Sequence, residues 1–135
     1  MKKFEVLEHK ADLKIRAFGK TKKELFENAM IGMFESANYQ PTTYDERFTT
    51  KIKVSSLDLP SLLVDFLSEV LYLVETKKLV FEKIKFQKFS ENEIRAILIG
   101  RLLKMIGVQI KGVTYHDLDI HQKNGKWQAT VLFDI

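Results

Sequence analysis

Two alternating runs, VQIKGVTYHDLDIHQ and KWQATVLFDI, meet at the dipeptide Asn124-Gly125. Asn and Gly accept positive φ at little steric cost, and a two-residue hairpin turn that matches the right-handed twist of its strands demands that conformation. The dipeptide therefore predicts an antiparallel hairpin and sends residues two apart to a common face. Regular alternation through the first run puts Tyr115, Asp117 and Asp119 on one side, with Thr114, His116 and Leu118 on the other. Aspartates at i and i+2 suit either part of a cation site or a solvated strand face, and spacing alone leaves both open.

The rest of the chain reads as alternating strands and helices. Leu13, Ile15 and Ala17 alternate with Lys14 and Arg16 until Gly19 breaks the run, which predicts a half-buried strand. Thr21 followed by Glu24 is a capping box, and Leu25, Phe26, Ala29, Met30, Met33, Phe34 and Ala37 form one stripe ending near Asn38, with Pro41 soon after. A strand is expected over 47–55 in the β-branched run RFTTKIKVSS. A second helix follows, capped by Ser56 or Asp58, with Pro60 in its first turn and an end near Lys77. Its apolar positions, Leu62, Leu63, Phe66, Leu67, Val70, Leu71, Leu73 and Val74, wrap much of the circumference and call for burial between layers or against a partner. LVFEKIKFQKF and EIRAILIGRLL, either side of Ser90-Glu91-Asn92, predict another hairpin.

This order predicts an α+β fold, two main helices packed on a largely antiparallel or mixed β-sheet. The 135 residues contain no repeat, low-complexity tract or Pro/Gly-rich linker, so one domain over 1–135 is expected.

Several function classes lose their usual residues. Without cysteine, disulfides, thiolate metal sites and a cysteine nucleophile are excluded, leaving oxygen or imidazole as metal ligands. G-x-x-x-x-G-K-[ST], G-x-G-x-x-G, H-E-x-x-H and G-x-S-x-G are all absent, which counts against an independent NTPase, dehydrogenase, zincin or α/β-hydrolase. The start MKKFEVLEHKADLKI lacks an apolar signal region and no later stretch has the length of a membrane span, so a cytoplasmic protein with no membrane partner is expected. Lys and Arg number 22 against 18 Asp and Glu, a net charge of +4. The cations are spread along the chain, and that balance suits plain solubility as well as a polyanionic partner.

Two places offer hard oxygen ligands. Asp12 lies where a loop enters the first strand, three residues after His9; it is a turn cap or a cation ligand. At the other end, alternation in VLFDI turns Asp134 away from Val131 and Phe133, and the carboxylate of Ile135 stands beside it by covalent necessity. Two adjacent carboxylates repel unless hydrated, and a divalent cation such as Ca²⁺ or Mg²⁺ would relieve that repulsion. A short ordered end is the plainer alternative.

His9-x-Ala11-Asp12, the capped Glu24-Leu25-Phe26 helix with Ala29, Lys111-Gly112-Val113-Thr114-Tyr115-His116, and the Trp127…Asp134-Ile135 ending together resemble the archease family across essentially the whole chain. The resemblance implies the archease fold and a small cytoplasmic accessory protein, not itself an enzyme. Such a protein promotes guanylylation and multiple turnover of the GTP-dependent tRNA-splicing RNA ligase, reaching tRNA indirectly through that ligase. It also implies a Ca²⁺ or Mg²⁺ site whose ligands carry over to Asp12, Asp134 and Ile135, with His9, Lys111, Tyr115 and His116 as accessory or partner-facing residues. Family members commonly have threonine where this chain has Lys10. A rival reading is a chaperone-like or RNA/protein-binding module that uses the broad apolar second helix and the basic balance of the chain, without metal chemistry.

Overall fold

The computed structural model describes residues 1–9 and 11–135, with the side chains of Glu8 and His9 outside the description. The elements run β1 Phe4–His9, β2 Asp12–Gly19, α1 Lys22–Ser36, β3 Tyr39–Pro41, β4 Phe48–Ser55, α2 Leu59–Lys77, β5 Leu79–Phe89, β6 Glu93–Ile106, β7 Gly112–Lys123 and β8 Lys126–Asp134. They build two antiparallel sheets. The first has the order β1-β2-β8-β7; in the second, the long β6 is flanked on one side by β3 and β4 and on the other by β5.

Local chemistry explains where the helices begin. The Thr21 hydroxyl accepts from the Glu24 amide at 3.1 Å, and Glu24 returns the favour one residue before the cap, accepting from the Lys20 amide at 3.1 Å. Asp58 is the cap of α2, accepting from the Ser61 amide at 2.8 Å, with Pro60 in the first turn. The last hairpin turns on Asn124 at φ 54° and Gly125 at φ 74°, as the dipeptide predicts. Its first strand starts at Gly112, later than the apolar run before Lys111 suggests.

Both helices lie between the two sheets, which explains the all-round apolar character of α2. Leu62, Leu63, Phe66, Leu67, Val70 and Val74 are essentially fully buried, against β7 on one side and β4 and β5 on the other. Each such side chain contributes roughly 1.5–3 kcal/mol by leaving water. From the first sheet come Leu13, Ile15, Ala17, Ala129, Val131 and Phe133, and from the second Ile94, Ala96 and Leu98, all inaccessible. Phe26 of α1 joins the layers, its ring 5.7 Å from Phe66 and 5.1 Å edge-on from Phe89. Close approach demands glycine at Gly100, where a Cβ would lie 2.2 Å from the Val80 carbonyl oxygen across the β5–β6 ladder.

No helix among the described residues is long and apolar enough to cross a membrane. Because both helices are internal, each sheet presents a helix-free outer face, and the candidate site lies on the first of these.

Candidate functional site

β8 is central in its sheet, between β2 and β7, and this brings the two ends of the sequence together. In the β2–β8 ladder Asp12 pairs with Asp134, Leu13 with Phe133, Lys14 with Leu132 and Ile15 with Val131. Leu13, Ile15, Val131 and Phe133 are buried toward the helices, so alternation turns Asp12 and Asp134 together onto the outer face, where both are exposed. Residues directly opposite in an antiparallel pair hold their Cβ atoms about 4.5–5.5 Å apart. The residues by themselves offered Asp12 and Asp134 separately and only the family resemblance joined them; the register makes them neighbours.

The end of β8 is held on both sides. Gly112 of β7 is the Cα partner of Asp134, and the Lys111 amide donates to the Asp134 carbonyl oxygen at 2.7 Å. Ile135 follows half-buried, its side chain packed against the core, which seats the carboxylate next to Asp134. The pair and the neighbouring main-chain carboxylate form a compact set of hard oxygen donors, the chemistry Ca²⁺ and Mg²⁺ take. Among the described residues, no three His, Cys, Asp or Glu side chains come together as a metal-holding group, so a cation held here would need a main-chain carboxylate as third donor. No ion pair reaches Asp12 or Asp134 among the described residues. Lys14, the next outward residue of β2, sends its Nζ to Asp117 Oδ2 at 3.2 Å instead.

The regular alternation expected along β7 is corrected here. The β7–β8 register jumps between the pairs Thr114–Leu132 and Asp119–Thr130, so Tyr115, His116, Asp117 and Leu118 bulge out of the ladder. Asp117 takes a left-handed φ of 57°, and the Thr114 hydroxyl accepts from the His116 amide at 3.1 Å. The bulge separates the three residues expected on one side. Tyr115 turns toward α2 and donates to Asp65 Oδ1 at 3.4 Å, whereas Asp117 reaches Lys14 on the outer face. Partial desolvation and the Asp65 charge hold the Tyr115 phenol above its ordinary pKa. Asp119 pairs with its own strand neighbour His121, Nδ1 to Oδ2 at 2.6 Å.

The accessory residues therefore divide. His116 is exposed within the bulge, outside the ladder, with Nε2 3.6 Å from Asp117 Oδ2. Lys111 contributes its amide to the end of β8, and its side chain lines a surface depression with Ser68, Tyr72 and Glu75 of α2. Tyr115 belongs to a different contact, at the start of α2. The side chain of His9 and the whole of Lys10 lie outside the description. Lys14 was missed by sequence reasoning, where it read as a solvated alternate of the first strand; only the bulge that carries Asp117 toward it reveals its role.

The sequence of the Archease protein family matches residues 4–135. The chain is 39% identical to the protein archease of Methanosarcina mazei, over 99% of this chain and 97% of that one. It is 33% identical to the protein archease of Pyrococcus furiosus, over the whole of both. In three dimensions it is similar to the solution structure of Methanobacterium thermoautotrophicum protein 1598, with a TM-score of 0.70, 26% identity and full coverage of both chains. It shares the fold of a Thermotoga maritima archease, described as a possible chaperone, with a TM-score of 0.69 at 22% identity over 96% of this chain and 94% of that one. Two internal helices between antiparallel sheets, a whole-chain match to the family and relatives of this identity lead to one conclusion: the chain belongs to the archease family.

Proposed function

We propose that this protein is an accessory factor of the GTP-dependent tRNA-splicing RNA ligase, promoting its guanylylation and multiple turnover through a divalent-cation site formed by Asp12, Asp134 and the carboxylate of Ile135. Family membership supports the general role. The observation that carries the site is the pairing of Asp12 with Asp134 across β2 and β8, one residue from Ile135. Two like charges facing each other at that distance destabilise a sheet unless something is gained from holding them there. Once bound, a hard divalent cation would neutralise the carboxylates and offer its remaining coordination positions to oxygen atoms of the ligase or its nucleotide.

The protein's own residues do the positioning. Leu13 and Phe133, buried beneath the pair, set the direction of both aspartates, and the Lys111–Asp134 main-chain bond keeps the strand end from fraying. Lys14, engaged by Asp117, leaves the carboxylates to a cation. The rival binding-module reading drew on the apolar circumference of α2 and on the basic balance of the chain; the first of these is taken up by the core, and the second is left to it.

The test is ligase guanylylation and turnover with the parent, Asp12→Ala, Asp134→Ala and a variant carrying residues appended after Ile135, with folding followed by circular dichroism. All three variants are expected to lose Ca²⁺ or Mg²⁺ binding and stimulation while keeping their helices. Full stimulation by folded variants rejects the cation mechanism; no stimulation by the parent rejects the accessory role.

A further inference from the structure

The outer face of the second sheet carries a charge pattern that no single stretch of sequence displays. β6 is central, and successive outward rungs across β4, β6 and β5 read Thr49–Ile99–Lys83, Lys51–Ile97–Lys85 and Lys53–Arg95–Lys88. The intervening Ile52, Val54, Ile94, Ala96 and Leu98 are buried toward the helices, so the alternate set faces outward, and Lys51, Lys53, Lys83, Lys85, Lys88 and Arg95 are all exposed. Against these six cations the next rung supplies one carboxylate, Glu93, shared by Lys88 at 2.6 Å, Arg95 at 3.1 Å and Lys53 at 3.7 Å. At the other end, Arg101 forms a bidentate pair with Glu82, so the positive field is confined to the middle of the face.

The spacing selects among polyanions. Lysines two apart on one strand are separated by roughly 6.5–7 Å, and the rows on β4 and β5 stand about 9.5 Å apart on either side of β6. Between the rows lie the half-buried Ile97 and Ile99, which the lysine stems flank. The outward positions of these three rungs hold no aromatic side chain on which an unpaired base would stack, and no fork of arginines that would single out a base edge. Two rows of mobile point charges on a flat, slightly apolar strip fit the regularly spaced phosphates of a nucleic-acid helix.

We propose that this face binds the phosphate backbone of double-stranded RNA without regard to sequence, giving the protein a direct RNA contact on the side opposite the carboxylate pair. The choice of RNA rests on the ligase reading above; the polyanion chemistry does not. With the carboxylate pair on one outer face and the lysines on the other, the two surfaces are free to engage ligase and substrate stem at once.

The experiment measures fluorescence anisotropy of a labelled RNA stem-loop of arbitrary sequence with the full chain over a range of salt. The parent is expected to bind with log K falling against log salt at a slope of about −3 to −5, each phosphate contact contributing roughly 0.7–0.9. Lys51→Glu with Lys85→Glu should weaken binding at least about tenfold and flatten the slope by about 2. Lys123→Glu with Lys126→Glu, the same charge change at the β7–β8 turn, should cost less than about threefold. Lys51→Gln with Lys85→Gln gives the intermediate loss and guards against misfolding of the reversed variant.

Absence of salt-dependent binding by the parent, or equal loss in the two reversed variants, overturns the proposal. So does tighter binding of the same stem made as DNA. Transfer of a guanylyl group from GTP to the ligase can be assayed with no RNA present, so a face variant that still stimulates guanylylation but loses turnover on stem-containing RNA supports the inference. A face variant that keeps RNA binding and loses guanylylation makes the face a ligase contact and overturns it, as does loss of self-association in sedimentation without change in RNA binding. Because anisotropy involves no ligase, failure of the accessory role and failure of this inference are read separately.

Discussion

The two outer faces are built by the same ladder geometry and behave oppositely. On the first sheet, pairing of β2 with β8 concentrates two carboxylates at one rung, next to the carboxylate of Ile135. On the second, pairing of β4, β6 and β5 spreads six cations over three rungs. A concentrated set of hard oxygen donors would act through geometry at short range, so a cation held by it would be lost with one ligand. A spread of lysines works through a summed field, each contributing a fraction, and salt weakens the whole. Position is decisive on one face and number on the other.

The largest effect expected from this contrast is at the concentrated site. Asp12→Ala together with Asp134→Ala should lower divalent-cation affinity, measured by calorimetry, on the order of 100-fold or more, exceeding the loss usual for partners one shell further out. Thermal stability without cation should stay level or rise as the like charges are removed. A fall of several degrees would mean that the pair serves the fold instead.

Next comes Gly100→Ala, which strikes the scaffold of the cationic face. The added Cβ would press on the Val80 carbonyl oxygen and force β5 from β6, costing about 1–3 kcal/mol in urea denaturation. RNA affinity should fall with it while cation binding at Asp12 and Asp134 stays unchanged. Loss of both would show that the faces are not independent.

A smaller change sharpens the field argument. Glu93→Gln removes the one carboxylate of the three-cation cluster and should tighten RNA binding about two- to fivefold, the equivalent of up to about 1 kcal/mol of Coulomb repulsion in water. The Lys88 ammonium hydrogen-bonded to Glu93, with Arg95 beside it, lowers its pKa to about 2. A depressed carboxyl stabilises the fold fully above the ordinary glutamate value of 4.5, and that contribution is lost as pH falls toward about 2. The variant should therefore flatten the acid limb of the stability profile between those values and leave neutral pH nearly untouched.

The smallest effect is at the clamp beside the carboxylates. Lys14→Ala breaks the contact with Asp117 and should cost no more than about 1 kcal/mol, as partly exposed ion pairs do. Its informative readout is NMR of the 115–118 bulge, whose amide shifts should move while those of β5 and β6 stay still.

What could be read from the chain followed from how local each signal is. Thr21 and Asp58 announce the helix starts because a cap needs only the next turn, and Asn124-Gly125 announces its hairpin because two residues set the turn. The two-helix antiparallel fold was also within reach, whereas Asp12, Asp134 and Ile135 came together as a candidate set only through the family resemblance. The bulge in β7 was not, since none of Tyr115, His116, Asp117 and Leu118 is a glycine to mark the break. Nor was the basic face, whose lysines read as dispersed solubility because the rows on β4 and β5 lie 30 or more residues apart along the chain.

By itself, then, the sequence determined both helices, the strands other than β1 and β3, and which side chains carry charge, because period and capping act within a turn or a strand. Only the tertiary structure decided that β8 lies between β2 and β7, setting Asp12 against Asp134, and that β6 lies between β4 and β5, gathering the cations. Those choices come from burying both helices between two sheets. Strand order depends on apolar surfaces matched across the whole molecule, which no local pattern encodes.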